Sequence, residues 1–391
     1  MQLSWSDDDE AFRRELIAFL DLHAPIEVSD GFDFERDAAG DNVIAPWLQS
    51  WQAKLFDHGW MVPGFPPHYG GRDATPTQTM IYLEEMAARR MPRATHFPGY
   101  AIVAPSLLAH GNDEQKTMVP SAIRGDTIWC IGMSEPNAGS DLAGLQTRAV
   151  RDGDAFIVNG QKVWTSYAMV AQYCFLYVRT DIEVSKHKGI SVLILSMDTP
   201  GIDIRPLRHI TGQADFAEVF LTDVVVPAAN LVGPLNGGWA ITQGSLAHER
   251  AGLWVESVAK LEQTVRDLVA LARAYGKADD SGIRRKIAVL AETASSLRAL
   301  GYKGFASFAQ GSSAPEHSFM KVASSEAGKA SFELGMEILG ELGALTDPAV
   351  GERGGHWVTS FYVNFANTIA GGTSEIQRNI IAQRILGLPR G

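Results

Sequence analysis

The sequence predicts an α+β multidomain protein, because the hydrophobic period changes twice along its 391 residues. Residues 9–124 carry apolar side chains at helical spacing, residues 126–232 alternate with a period of two, and the helical period returns after Gly237-Gly238. These changes divide the chain into an N-terminal helical domain at 1–125, a middle β domain at 126–234 and a C-terminal helical domain at 235–391.

In the first segment, "EAFRRELIAFLDLH" places Phe12, Leu16, Phe19, Leu20 and His23 three and four residues apart, as one helix face requires. A second helix is expected in "TPTQTMIYLEEMAARR", with Met80, Leu83 and Met86 on its apolar side. The Pro- and Gly-rich "GWMVPGFPPHYGGRD" between them reads as a loop.

In the second segment, Asn159-Gly160 stands between short β-prone runs and signals a hairpin. "YCFLYVR", "GISVLILSM", "IDIRPLR" and "DFAEVFLTDVVVP" follow as strands, and this density of short strands fits a small antiparallel barrel or a sandwich. In the third, three amphipathic stretches of more than twenty residues run without an interposed strand and read as a bundle. Ser374 and Gln377 have capping-box spacing, and Ile376, Ile380, Ile381 and Ile385 form an apolar stripe behind them. Gly371-Gly372-Thr373 is therefore placed at a helix start whose free N–H groups attract anions.

Composition narrows the function. With 46% hydrophobic residues the chain can bury a large core, while a formal charge of -11 argues against a nucleic-acid partner. Two cysteines, Cys130 and Cys174, make no disulfide framework and read as small buried apolar residues of a reducing compartment. The acidic start "MQLSWSDDDEAFRREL" lacks the features of a signal peptide, and no stretch reaches the ~20 apolar residues of a membrane span. A cytoplasmic location is expected. His96, His110, His187, His209 and His356 show no metal-ligand spacing, so no metal is expected.

The segment "GMSEPNAGSDLAG" at 132–144 is bare of bulky side chains, which suits close approach of backbone to a ligand. On its own it reads equally as an interdomain turn. Together with "NGQKVWTS", "KGIS", "DVVVP", "SSEAGKASFELGMEILG" and "IAGGTSEIQRNIIAQRILGLPR", in that order, it resembles the acyl-CoA dehydrogenase family over nearly the whole chain.

The resemblance implies a helical domain, a middle antiparallel β-barrel and a C-terminal four-helix bundle, with FAD as cofactor. It implies oxidation of the Cα–Cβ bond of an acyl-CoA thioester to a trans-2-enoyl-CoA. A base takes the α-proton, the β-hydrogen leaves as hydride to flavin N5, and donors hold the developing charge on the thioester oxygen. By similarity, Ile131, Met133 and Ser134 lie along the isoalloxazine, Gly139 and Ser140 meet the pyrophosphate, and Ser140 also meets the substrate. Trp164 covers the flavin ring and Ser166 donates toward N5 and O4. Thr373 and Glu375 meet the FAD of a neighbouring subunit, and a backbone N–H at Gly371 polarises the thioester carbonyl.

The sequence also departs from the pattern. Many relatives carry the catalytic glutamate just before the Gly-Thr pair, where this chain has Gly371. Another branch places it in a Glu-Arg dipeptide at the start of the bundle, and "SLAHERAGLW" supplies Glu249 as that base, with Arg250 orienting it or contacting CoA. His248 reads as structural. Arg273 is the nearest match to an FAD-contacting arginine, but "KADDSGIRRK" lacks the glutamine that usually follows, and Glu337 and Glu341 replace the usual Gln and Gly. The expected partners are an acyl-CoA, an electron-transfer flavoprotein and further copies or a related chain in a homotetramer or heterotetramer. Two other readings stay open: an FAD-containing eliminase or desulfinase that needs no base, and a partner chain of a heterotetrameric dehydrogenase. A helical scaffold without any ligand is the remaining alternative.

Overall fold

The computed structural model describes residues 5–29, 44–309, 316–347 and 351–389; the side chains of 243–253, 308–309 and 316–317 fall outside the description. The chain divides into two units, one made of Met1–Thr79 and Pro92–Glu249, the other of Met80–Met91 and Arg250–Gly391.

In the first unit, α1 (Asp7–His23) is closed at its start by a capping box between Ser6 and Asp9, and four acidic residues occupy its first turn. It buries Phe12, Leu16, Phe19 and Leu20, the face read from the sequence, and Phe12 meets Trp60 edge-on at 5.1 Å. Helix α2 (Pro46–Asp57) carries a buried Gln52, which donates to the Ile123 carbonyl and accepts from the N–H and hydroxyl of Thr95. The loop between 60 and 72 is closed by its own backbone bonds. Helix α3 (Pro76–Ala88) crosses from the first unit into the second. A π-turn at Gly99–Val103 leads into α4 (Ala104–His110), and α5 (Val119–Arg124) ends at Gly125 in the left-handed region.

Eight strands follow: β1 (Trp129–Gly132), β2 (Arg148–Asp152), β3 (Ala155–Ser166), β4 (Tyr173–Arg179), β5 (Ile190–Ser196), β6 (Ile202–Leu207), β7 (Phe216–Pro227) and β8 (Leu231–Val232). Their order in the sheet is β6-β7-β3-β2-β4-β5-β8, with β1 on β4. Most neighbouring strands pair antiparallel, as expected; β1 with β4 and the single contact of β2 with β4 at Arg148 and Arg179 are parallel. Inward side chains of the period-two runs make the core, among them Val158, Val178, Leu193 and Val224, each fully buried.

The hairpin expected at Asn159-Gly160 is corrected. Both residues lie inside β3, and the turn between β2 and β3 falls at Gly153-Asp154. Asn159 is held in the strand by β7, accepting from the Asp223 N–H and donating to the Asp223 carboxylate. Gly160 is needed for closeness, since a Cβ there would lie 2.6 Å from Thr147 Oγ1.

The second unit is helical. Helix α6 (Gly238–Ala274) begins in the first unit, and α7 (Ser281–Ala309), α8 (Glu316–Leu339), α9 (His356–Asn367) and α10 (Ser374–Ile380) follow. Small residues let two tryptophans sit against helix backbone: Trp254 covers Gly301 and Trp357 covers Gly335. Arg298 grips Glu262 of α6 with two 2.7 Å bonds, and Tyr302 donates to Glu84 of α3. Among the described residues no helix is long and apolar enough to cross a membrane.

Candidate functional site

The chain leaves β1 at Gly132 and runs through Met133 and Ser134 alongside the end of β3, where the Val163 N–H donates to the Ser134 carbonyl at 3.0 Å. Glu135 and Ala138 exchange backbone bonds of 3.0 and 3.1 Å, closing a tight turn before exposed Gly139 and Ser140. On β3 the pairing with β7 slips between Lys162 and Thr165. A bulge of this kind re-aims a side chain, and Trp164 is the residue it turns outward. Trp164 sits at φ 59° and is 61% exposed, resting edge-on against Phe216 at 5.9 Å. A bulky residue in the left-handed region is held there only when its surroundings over-determine it, and such strain collects at functional sites. The structure thus brings Ile131, Met133, Ser134, Trp164 and Ser166 onto two adjoining segments.

Behind this surface lies a buried ion pair. Lys162 is fully buried in the β domain and donates to a Glu135 oxygen at 2.9 Å and to the Met133 carbonyl at 3.2 Å. Glu135 also accepts from the backbone N–H groups of Gln146 and Thr147 at 2.6 and 2.8 Å. Burial pushes the Glu135 carboxyl up, but the Lys162 charge and the hydrogen bonds from Thr147, Lys162 and Gln146 outweigh it and leave the group below its ordinary value. Tyr167, also at positive φ, is pushed up to about 12 by burial and by the Asp215 charge.

A cavity of about 380 Å³ is lined by residues that include Gln146, Arg148, Arg179, Asp181, Ile182 and Lys186. Its floor is fixed because Arg179 donates to the carbonyls of Ala143, Leu145 and Lys186. Lys186 reaches back to Asp141 at 2.6 Å, an exposed pair worth little by itself.

In the second unit, α10 is capped by Thr373, whose hydroxyl accepts from the Ile376 N–H at 3.2 Å. This corrects the capping box expected at Ser374 and Gln377. Ser374 is buried and donates to Glu326 of α8, while Gln377 donates to the Gly371 carbonyl at 3.0 Å and closes the turn from the other side. Gly371 and Gly372 have φ of 66° and 94°, values glycine adopts at no steric cost. Glu375 is exposed at the first turn, and Arg273 is exposed near the end of α6. Glu249 and Arg250 belong to the helical backbone of α6, and their side chains lie outside the described residues.

Three family models match in sequence order. The "Acyl-CoA dehydrogenase, N-terminal domain" covers residues 6–126, the "middle domain" 130–224 and the "C-terminal domain" 236–386. The chain belongs to the acyl-CoA dehydrogenase family. Its architecture of N-terminal helices, middle β-sheet and C-terminal helices is the family's. It is 36% identical over 347 residues to acyl-CoA dehydrogenase IpdE1 of Mycobacterium tuberculosis, covering 88% of each chain. It is similar to the solved "Tcur3481-Tcur3483 steroid ACAD" with a TM-score of 0.85 and 30% identity over the full length of both. It is likewise similar to the ChsE4-ChsE5 complex of Mycobacterium tuberculosis, with a TM-score of 0.82 and 32% identity over both full lengths.

As an acyl-CoA dehydrogenase the chain is an oxidoreductase of an FAD-dependent family. The residues present fit such a group: the Ser134 N–H has no acceptor among the described residues, and the bulged Trp164 offers an aromatic face to solvent beside it. Glu135 and Lys162 stand inside the SEPNAGSD and NGQKVWTS motifs without being among the residues the family resemblance marks. The signal was available: a charged residue inside an alternating β run, at a position where the pattern faces the core.

Proposed function

We propose that the chain catalyses α,β-dehydrogenation of an acyl-CoA thioester to a trans-2-enoyl-CoA, with the Glu249 carboxylate taking the α-proton. The observation that carries the reading is the pairing of an outward-turned, strained Trp164 with the open N–H of Ser134 on one surface. FAD, when bound, supplies the acceptor for the β-hydride. In this reading Ile131, Met133, Ser134, Trp164 and Ser166 hold the ring system, and Gly139 and Ser140 hold the pyrophosphate. Arg273, Thr373 and Glu375 meet a neighbouring subunit's FAD, Gly371 offers its N–H to the thioester carbonyl, and Arg250 borders the base. The domains are taken as 1–125, 126–234 and 235–391, the location as cytoplasmic and the electron acceptor as an electron-transfer flavoprotein.

Substrates with bulky ring systems are favoured, since the Tcur3481-Tcur3483 protein, similar over its full length, is a steroid ACAD. Assembly as a heterotetramer with a related chain is favoured over a homotetramer, since the ChsE4-ChsE5 structure is a complex of two proteins. The same observation supports a second reading, that this chain is the partner subunit that completes another chain's site. Anaerobic mixing with acyl-CoA thioesters separates the two. A chain purified alone with yellow flavin that a ring-bearing thioester bleaches supports the enzyme reading. Absence of flavin until the related chain is added supports the partner reading, and bleaching only by short straight chains removes the ring preference.

The cavity lined by Arg148, Arg179, Lys186 and one carboxylate, Asp181, is assigned to the phosphates of CoA. A charge-assisted bond contributes about 1.5–3 kcal/mol, so losing one phosphate contact costs roughly tenfold in affinity. Arg148→Met with Lys186→Met is expected to raise the half-saturating thioester concentration by at least that factor while leaving the limiting bleaching rate in place. An unchanged saturation curve would remove the cavity from the substrate site.

A further inference from the structure

The Glu135–Lys162 pair has more structure around it than an ion pair needs for support. Lys162 Nζ splits its donors between the Glu135 carboxylate and the Met133 carbonyl, so the ammonium is bonded directly to the peptide whose other end is the Ser134 N–H. Glu135 in turn is fixed by two backbone N–H groups and cannot follow the lysine elsewhere. Lys162 also stands two residues before Trp164, at the start of the slip in the β3/β7 pairing. One buried charge therefore touches both segments of the surface assigned to the flavin. A charge-assisted bond to a carbonyl polarises the amide it belongs to, and in a low-dielectric setting this strengthens the N–H at the far end as a donor.

We propose that Lys162, locked by Glu135, is a positioning residue for the flavin: it polarises the Met133–Ser134 peptide so that the Ser134 N–H donates more strongly, and it fixes the start of the bulge that presents Trp164. This rests on the flavin reading given above. A donor strengthened toward the ring favours the reduced, more electron-rich flavin over the oxidised form, so the pair raises the reduction potential as well as the affinity.

The test uses the full chain and needs no turnover. FAD affinity is titrated into apoprotein, and the two-electron midpoint potential is read with indicator dyes. The double variant Glu135→Gln/Lys162→Met removes both charges at once and avoids an unpaired buried ion. It is expected to bind oxidised FAD at least tenfold more weakly and reduced FAD tenfold more weakly still, which for a two-electron couple is a fall of about 30 mV. Val178→Ala, a core truncation in β4, lowers stability and is expected to leave both quantities unchanged. A folded double variant with parental affinity and potential overturns the proposal. If the double variant does not fold, Glu135→Asp decides: it keeps both charges but draws the lysine off the Met133 carbonyl, and an unchanged potential overturns the proposal. A parent chain that binds no FAD overturns the flavin reading itself, an outcome distinct from either of these.

Discussion

Glu249→Gln is expected to bind acyl-CoA thioesters and leave the flavin yellow. General-base catalysis by a positioned carboxylate contributes about 10²–10⁴ in rate, and the amide matches the carboxylate in size while having no basicity. In the role proposed for Glu249, the bleaching rate should fall by that factor with the thioester affinity retained, because the substitution removes basicity and little else. Gly371 cannot substitute, having no side chain. Stopped-flow bleaching of parent and variant with the same thioester measures the ratio. Equal rates would remove Glu249 from the mechanism, and no bleaching of the parent by any thioester would favour an elimination that needs no base.

The second large effect concerns stability. Breaking one side of a buried ion pair leaves the other charge uncompensated at about 3–5 kcal/mol, whereas removing both is nearly neutral. Glu135→Gln alone should therefore lower the unfolding free energy by that amount, and Glu135→Gln/Lys162→Met should recover most of it. Denaturant unfolding of the single and double variants measures both. The pH dependence has a definite sign. The folded-state carboxyl of Glu135 lies below its ordinary value, so its contribution is present above the unfolded pKa of about 4.3 and is lost as pH falls through the lower folded value. The parent should lose stability on acidification below about pH 4.5, and the curve for Glu135→Gln should be flatter there. Parallel curves would show that the carboxylate is not what the pair relies on.

Local pattern carried much of the fold. The α1 face is legible because its apolar spacing, its capping box and its acidic first turn agree with one another. Asn159-Gly160 misleads because the dipeptide is equally at home in a strand when a partner, here Asp223 of β7, takes the asparagine side chain. Thr373 and Ser374 are both good caps by residue type, and the choice falls to Thr373 because Glu326 claims the serine hydroxyl from 48 residues away. The parallel pairing of β1 with β4 joins residues 44 apart and leaves no periodic trace. Of the candidate site, Ser134 and Trp164 are legible through family motifs. The reason they can serve is not, because the bulge arises from the pairing of β3 with β7 and the buried pair behind it joins Glu135 to Lys162, contacts between segments distant in sequence.

The division of the chain into units also sets an order of events in synthesis. The second unit takes Met80–Met91 together with Arg250–Gly391, and Glu84 of α3 meets Arg298 and Tyr302 of α7. At a translation rate of roughly 5–20 residues per second, α3 emerges about ten to forty seconds before those partners exist. Glu84 waits through that interval for Arg298 and Tyr302. The amino-terminal part of the chain is consequently no free-standing cassette. A fragment cut at residue 125 carries Met80–Met91 without Arg250–Gly391, the rest of its unit.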